Sequence, residues 1–187
     1  MAVLTSGGAK GVDSLFTEWA SKVGDTVYNL SFDGHQTNCV GRFVLNEQQL
    51  ALANPFISQV APLLNKRVPK EGFVKKLIQR NYFQIRKAEL VIAIAPLTTD
   101  KKQVQGGTGW AVMMAIQNHT PVYVFDFSLE DEKAWFCYND KTSCFEPSMI
   151  PNKSERYAGI GSRNVNTYGV KAIQNLYEFW HPFLMRK

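Results

Sequence analysis

Leu4-Thr5-Ser6-Gly7-Gly8-Ala9-Lys10-Gly11-Val12-Asp13-Ser14 turns an apolar run into a helix through a cluster of glycines. Ala2, Val3 and Leu4 lead in, and an amphipathic segment over residues 15–23 leads out. A strand, a glycine loop and a helix start in that order form a layout that can cradle phosphate. The first N–H groups of a helix have no intrahelical partner and lie at the positive end of its dipole. Gly7, Gly8 and Gly11 would let a ligand reach the main chain with no Cβ in the way. A plain tight turn gives the same pattern, so the rest of the chain has to decide.

Working outward, Thr26–Phe32 is β-branched and aromatic enough for a second strand, broken by Asp33-Gly34-His35. Residues 34–46 have no period and are expected to form an irregular loop. A helix is expected over residues 47–53, stopped by Asn54-Pro55, and a short one over residues 57–64. Residues 73–88 form the clearest helix: Phe73, Val74, Leu77, Ile78 and Ile85 recur near every 3.6 residues. Arg80 and Gln84, four apart, share one face of it, with Asn81 beside Arg80.

Leu90-Val91-Ile92-Ala93-Ile94-Ala95 is continuously apolar, as a strand covered on both faces of a parallel sheet would be. A polar loop leads to Gly106-Gly107-Thr108-Gly109, a helix over residues 110–118 and a strand over residues 121–127. Residues 130–147 read as a hairpin insertion. The chain continues through Gly159-Ile160-Gly161-Ser162-Arg163 into a helix expected over residues 167–184. Strands alternating with helices predict an α/β fold, a Rossmann-like parallel sheet with helices on both faces. Its three glycine loops would meet at the carboxyl edge, where such sheets bind ligands.

The 187 residues suit a single domain spanning 1–187. No apolar run approaches the ~20 residues needed to span a bilayer, and no basic segment precedes the first apolar residues. No membrane association and no signal peptide are therefore expected. Cys39, Cys137 and Cys144 are odd in number and without framework spacing, which predicts free thiols and a cytoplasmic setting. Cys137 and Cys144 could face each other across the hairpin, but no metal site is expected from two thiols without clustered histidines. The net charge of +5 favours anionic partners such as nucleotides or nucleic acid. The bases are dispersed apart from a cluster over residues 66–87, which a solvated helix face explains equally well.

The stretch Ser6 to Ser14 resembles the signature of the SLOG superfamily of Rossmann-like proteins. That group includes the DNA-processing protein A family, the lonely-guy phosphoribohydrolases and small phage proteins. Tyr157-Ala158-Gly159-Ile160-Gly161-Ser162-Arg163 resembles the first-strand motif of the phage-type members. Arg80-Asn81-Tyr82-Phe83-Gln84-Ile85 and Gly106-Gly107-Thr108-Gly109 also match elements of those proteins. The order differs, because in the family the Gly-Ile-Gly-Ser-Arg strand comes first and here it comes last. A circular permutation accounts for this and predicts residues 2–5 beside residues 157–159, with Lys187 near Met1. Strand exchange between two copies is the competing geometry.

The resemblance implies a ligand on the main chain of Gly7, Gly8, Gly107 and Thr108. Ser6, Ser162 and Thr108 would add hydroxyls, and Arg163 would grip phosphate in a bidentate fork. Lys10, Asp13, Arg80, Asn81, Gly106 and Gly161 complete the expected binding set. Trp110 and Asp126 are weaker candidates, for stacking on a base or holding a ribose hydroxyl. His35, His119 and His181 show no partner and are given no catalytic role.

The phosphoribohydrolases follow their glycine motif closely with glutamates. Here residues 105–114 carry no carboxylate, which argues against glycosidic cleavage. The expected function is binding of a nucleotide-derived small molecule, of ADP-ribose type or a cyclic nucleotide. In a phage setting this could sequester an immune signal as an anti-defence protein in the host cytoplasm. No catalytic residue, cofactor or metal is expected, and a homo-oligomer is. Alternatives are a nucleoside-monophosphate hydrolase, with Asp13 as the candidate acid or base, and a single-stranded DNA binder.

Overall fold

In a computed structural model, which describes residues 1–37 and 39–183, eight strands form one sheet in the order β3-β2-β1-β8-β4-β5-β6-β7. The strands are β1 (Val3–Ser6), β2 (Thr26–Phe32), β3 (Arg42–Leu45), β4 (Leu90–Ile94), β5 (Val122–Phe125), β6 (Trp135–Asn139), β7 (Cys144–Pro147) and β8 (Arg156–Gly161). The helices are α1 (Val12–Lys22), α2 (Glu47–Ala51), α3 (Asn54–Val60), α4 (Phe73–Ile85), α5 (Thr108–Gln117) and α6 (Thr167–Trp180). Strands β3 to β5 in this order are parallel, and β6 and β7 add an antiparallel hairpin at one edge. The α/β class, the parallel core and the hairpin are as the sequence predicts.

β1 pairs directly with β8, Val3 opposite Arg156 and Leu4 opposite Tyr157. Residues 2–5 thus lie beside residues 157–159, as expected. The C-terminal strand thus fills the centre of the sheet, between β1 and β4. The expected proximity of Lys187 to Met1, and the last residue of the helix expected to end at 184, lie outside the described residues.

β4 is buried at all five positions, because helices cover both faces there. α1 and α6 pack together on one face, and α3, α4 and α5 pack together on the other. Gly159 lets α1 approach β8: a Cβ there would lie 2.4 Å from the Phe16 ring. α6 adds Ile173, Leu176 and Tyr177, all fully buried.

At the amino edge of the sheet the two chain ends share a polar cluster. The Asp25 carboxylate accepts from the Ala2 N–H (3.0 Å), Lys153 Nζ (2.6 Å) and the Tyr157 hydroxyl (2.9 Å). Lys153 Nζ also meets His181 Nε2 at 2.7 Å. Burial pushes the Asp25 carboxyl up, but Lys153, the Ala2 N–H and the Tyr157 hydroxyl outweigh it and hold it below the ordinary carboxylate range.

Three expectations need correction. Residues 42–45 are not irregular but form β3; an edge strand with three of its four residues exposed has no alternating pattern to betray it. Asn54-Pro55 does not stop a helix so much as start one: Pro55 stands in the first turn of α3, where its missing N–H costs nothing. Cys137 and Cys144 do not face each other, because Cys137 lies opposite Glu146 and Cys144 opposite Asn139. All three cysteines are free.

Candidate functional site: a cleft at the carboxyl edge

The parallel strands end on one edge, and β8 and β4 leave it toward opposite faces, into α6 and α5. A crevice at such a divergence is where open α/β sheets take ligands. Here a cleft of about 640 Å³ opens there, lined by the exits of β1 (Ala9), β8 (Gly161 to Asn164), β4 (Pro96) and β5 (Phe127). α4 contributes Leu77, Arg80, Asn81 and Gln84, and the start of α5 contributes Gly106, Gly107, Thr108 and Ala111.

The loop before α5 is the open one. Gly106 has φ +71° and Gly107 −73°, an alternation of hand that turns successive N–H groups toward one point. Among the described residues, the N–H groups of Gly106, Gly107 and Thr108 donate to nothing. A Cβ at either glycine would meet only open space. The loop is held from behind, with Lys66 Nζ donating to the Gly106 carbonyl (2.9 Å) and Asn81 Nδ2 to the Gly107 carbonyl (3.3 Å). Burial pushes the Lys66 ammonium down. The opposite rim carries Arg163, exposed and without a carboxylate partner among the described residues.

The opening loop is closed instead. A Cβ on Gly7 would lie 1.3 Å from Arg80 Nη1, so the guanidinium covers this backbone. Gly11, at φ +99°, sits against the Arg163 carbonyl, 2.3 Å from where a Cβ would be. The Val12 N–H, at the start of α1, donates to the Ser162 carbonyl (3.2 Å). Ser6 is fully buried and gives its hydroxyl to the Gly159 carbonyl at 2.6 Å. Ser6, Gly7 and Gly11 therefore serve the packing of loop on loop, and neither Ser6 nor Gly7, both expected to touch the ligand, lines the cleft.

Gly8 and Lys10 turn the other way. They line a second hollow with His35, Thr37, Cys39 and Arg42. Nine of the thirteen expected binding residues do meet in the main cleft: Asp13, Arg80, Asn81, Gly106, Gly107, Thr108, Gly161, Ser162 and Arg163.

Arg80 and Asp13 form a buried ion pair, Nη1 to Oδ2 at 3.3 Å, with each side chain under a tenth exposed. Burial pushes the Asp13 carboxyl above the ordinary carboxylate range, although Arg80 and the N–H groups of Gly161 and Ala9 pull the other way. Asp13 Oδ1 accepts from the Gly161 N–H at 3.2 Å, tying β8 to α1. Asp13 is the one carboxylate in the cleft lining, and it is spent on structure. Arg80 Nε and Gln84 Nε2 are fully buried without a partner among the described residues.

His35 is corrected too. Its Nδ1 lies 3.1 Å from the Ser31 hydroxyl and its ring stacks on Phe32. Burial, then the charges of Arg80, Arg163 and Arg42, bring its pKa down to about 4. Trp110 is buried beneath the α5 start, 4% exposed. Asp126 accepts from the N–H groups of Leu97 and Ser128 and does not line the cleft. Gln84 and Lys66 are the residues the sequence reading did not place at the site. The four-residue spacing of Arg80 and Gln84 was a usable signal for the first; nothing local marks the second.

Comparison of the chain with protein-family models, curated proteins and solved structures gives no match.

Proposed function

We propose that this chain binds a nucleotide-derived small molecule in the cleft at the carboxyl edge, with its phosphate on the Gly106-Gly107-Thr108 main chain and Arg163. The observation that carries this reading is the set of three unpaired N–H groups at the α5 start, facing a cleft whose one carboxylate is neutralised by Arg80. Unpaired N–H groups at a helix start and a free guanidinium are complementary to a phosphoryl group, and apolar Leu77, Pro96, Ala111, Phe127 and Ile160 offer a surface to a ring. The volume suits a small-molecule ligand rather than a polymer track.

An ADP-ribose-type or cyclic nucleotide, sequestered as a signal, is the specific form of this proposal, in keeping with the SLOG resemblance. Glycosidic hydrolysis is disfavoured, since both oxygens of Asp13 are already engaged, Oδ2 by Arg80 and Oδ1 by the Gly161 N–H. Calorimetric titration with ADP-ribose, its cyclic forms and common mononucleotides tests the reading. Saturable heat with at least one of them is expected, and none with any would overturn it.

A further inference from the structure

The cleft is not chemically uniform. Its rim is cationic, while on the α4 side the one full positive charge, Arg80, is cancelled by Asp13 at 3.3 Å. Beside that pair, Arg80 and Gln84 stand one helical turn apart on α4, 5% and 2% exposed, and both line the cleft. Arg80 Nε and Gln84 Nε2 have no hydrogen-bond partner among the described residues. No bond to Gln84 Oε1 is present among the described residues either, so the whole carboxamide is unspent there. A buried polar group left unpaired costs folding free energy, and since both atoms lie just beneath the cleft surface, a small shift of these side chains lets a partner from outside the chain reach them.

We propose that the α4 wall of the cleft is a recognition site for an uncharged hydrogen-bonding ring edge, a nucleobase, read by the Gln84 carboxamide and Arg80 Nε. This rests on the reading above and deepens it by orienting the ligand: phosphate to the α5 start and Arg163, base to Gln84. A second phosphate does not suit this wall, because the Arg80 charge is already neutralised. A base edge does, because it supplies an acceptor for Arg80 Nε and an acceptor or donor for the carboxamide. Leu77 and Ile160 provide apolar surface for its faces.

The test compares wild type with Gln84→Leu, a change of similar volume, by titrating AMP and ADP-ribose against inorganic pyrophosphate. In the variant, nucleotide affinity is expected to fall about tenfold or more, as for a lost buried hydrogen bond, while pyrophosphate affinity stays the same. The ligand-free variant should melt about 2–4 °C higher, because an unpaired buried amide has been removed. A variant that binds nucleotides as tightly as wild type, loses pyrophosphate equally, or melts lower overturns the inference and leaves the proposed function standing. Wild type binding pyrophosphate but no nucleotide overturns it as well. Wild type binding neither probe removes the phosphate site itself, and this inference with it.

Discussion

Arg163 and Gly11 face each other across the joint between the first and last loops, and substitutions there separate binding from folding. Arg163 is exposed and holds no partner among the described residues, so Arg163→Ala should leave the melting temperature unchanged. It should weaken nucleotide and pyrophosphate binding about tenfold, the usual worth of a charge-assisted contact, as measured by calorimetry. Gly11→Ala should do the reverse. It forces a Cβ into a left-handed backbone and onto the Arg163 carbonyl, at a cost of about 2 kcal/mol or more in urea unfolding.

His35 supplies a pH signature at the same scale. Its folded pKa of about 4 lies below the 6.5 of an unperturbed histidine, so the unfolded chain takes the proton first on acidification. Stability is therefore full above pH 6.5 and lost as pH falls toward 4, with a slope of up to about 1.4 kcal/mol per pH unit. Urea midpoints measured across that window should show the slope in wild type. His35→Gln should remove its share of the slope and leave that of His181, whose pKa burial and Lys153 also lower.

Among the elements, α6 contributes no residue to the cleft lining yet closes the face on which α1 rests. Ile173, Leu176 and Tyr177 are fully buried against α1 and β8, and Tyr177 shares a hydrogen bond with Tyr157 at 2.8 Å. A chain ending after Asn164 should lose both its far-UV circular dichroism transition and its nucleotide binding. Binding that survived the deletion would show that β8 and its loop are held without α6. β3 is the opposite case. It pairs with β2 alone, leaves Phe43 and Val44 about half exposed, and contributes nothing to the cleft.

For the whole molecule, β1 and β8 run side by side, with Val3 opposite Arg156. Ala2 and His181 are joined through Asp25 and Lys153, each bond at 3.0 Å or less. A permuted chain beginning at Ser154, with the present ends joined by a short Gly/Ser linker, should fold to the same circular dichroism spectrum and bind the same nucleotides. Failure of that chain to fold would mean that the present order is needed to assemble the sheet.

The sequence by itself determined the alternation of strands and helices, the buried β4 and the place of the glycine loops. These depend on local periodicity and turn chemistry, which neighbouring residues carry. Only the tertiary structure decided which loop is open. The opening Ser6-Gly7-Gly8 has the composition of a phosphate cradle, but Arg80, far away in sequence, lays its guanidinium over Gly7, and the last loop caps Gly11. Gly106 and Gly107 have the same local character and stand uncovered. The difference is made by residues distant in sequence, and no local pattern encodes it. The same holds for Gln84, whose significance is the absence of a partner, a property of the packed chain alone.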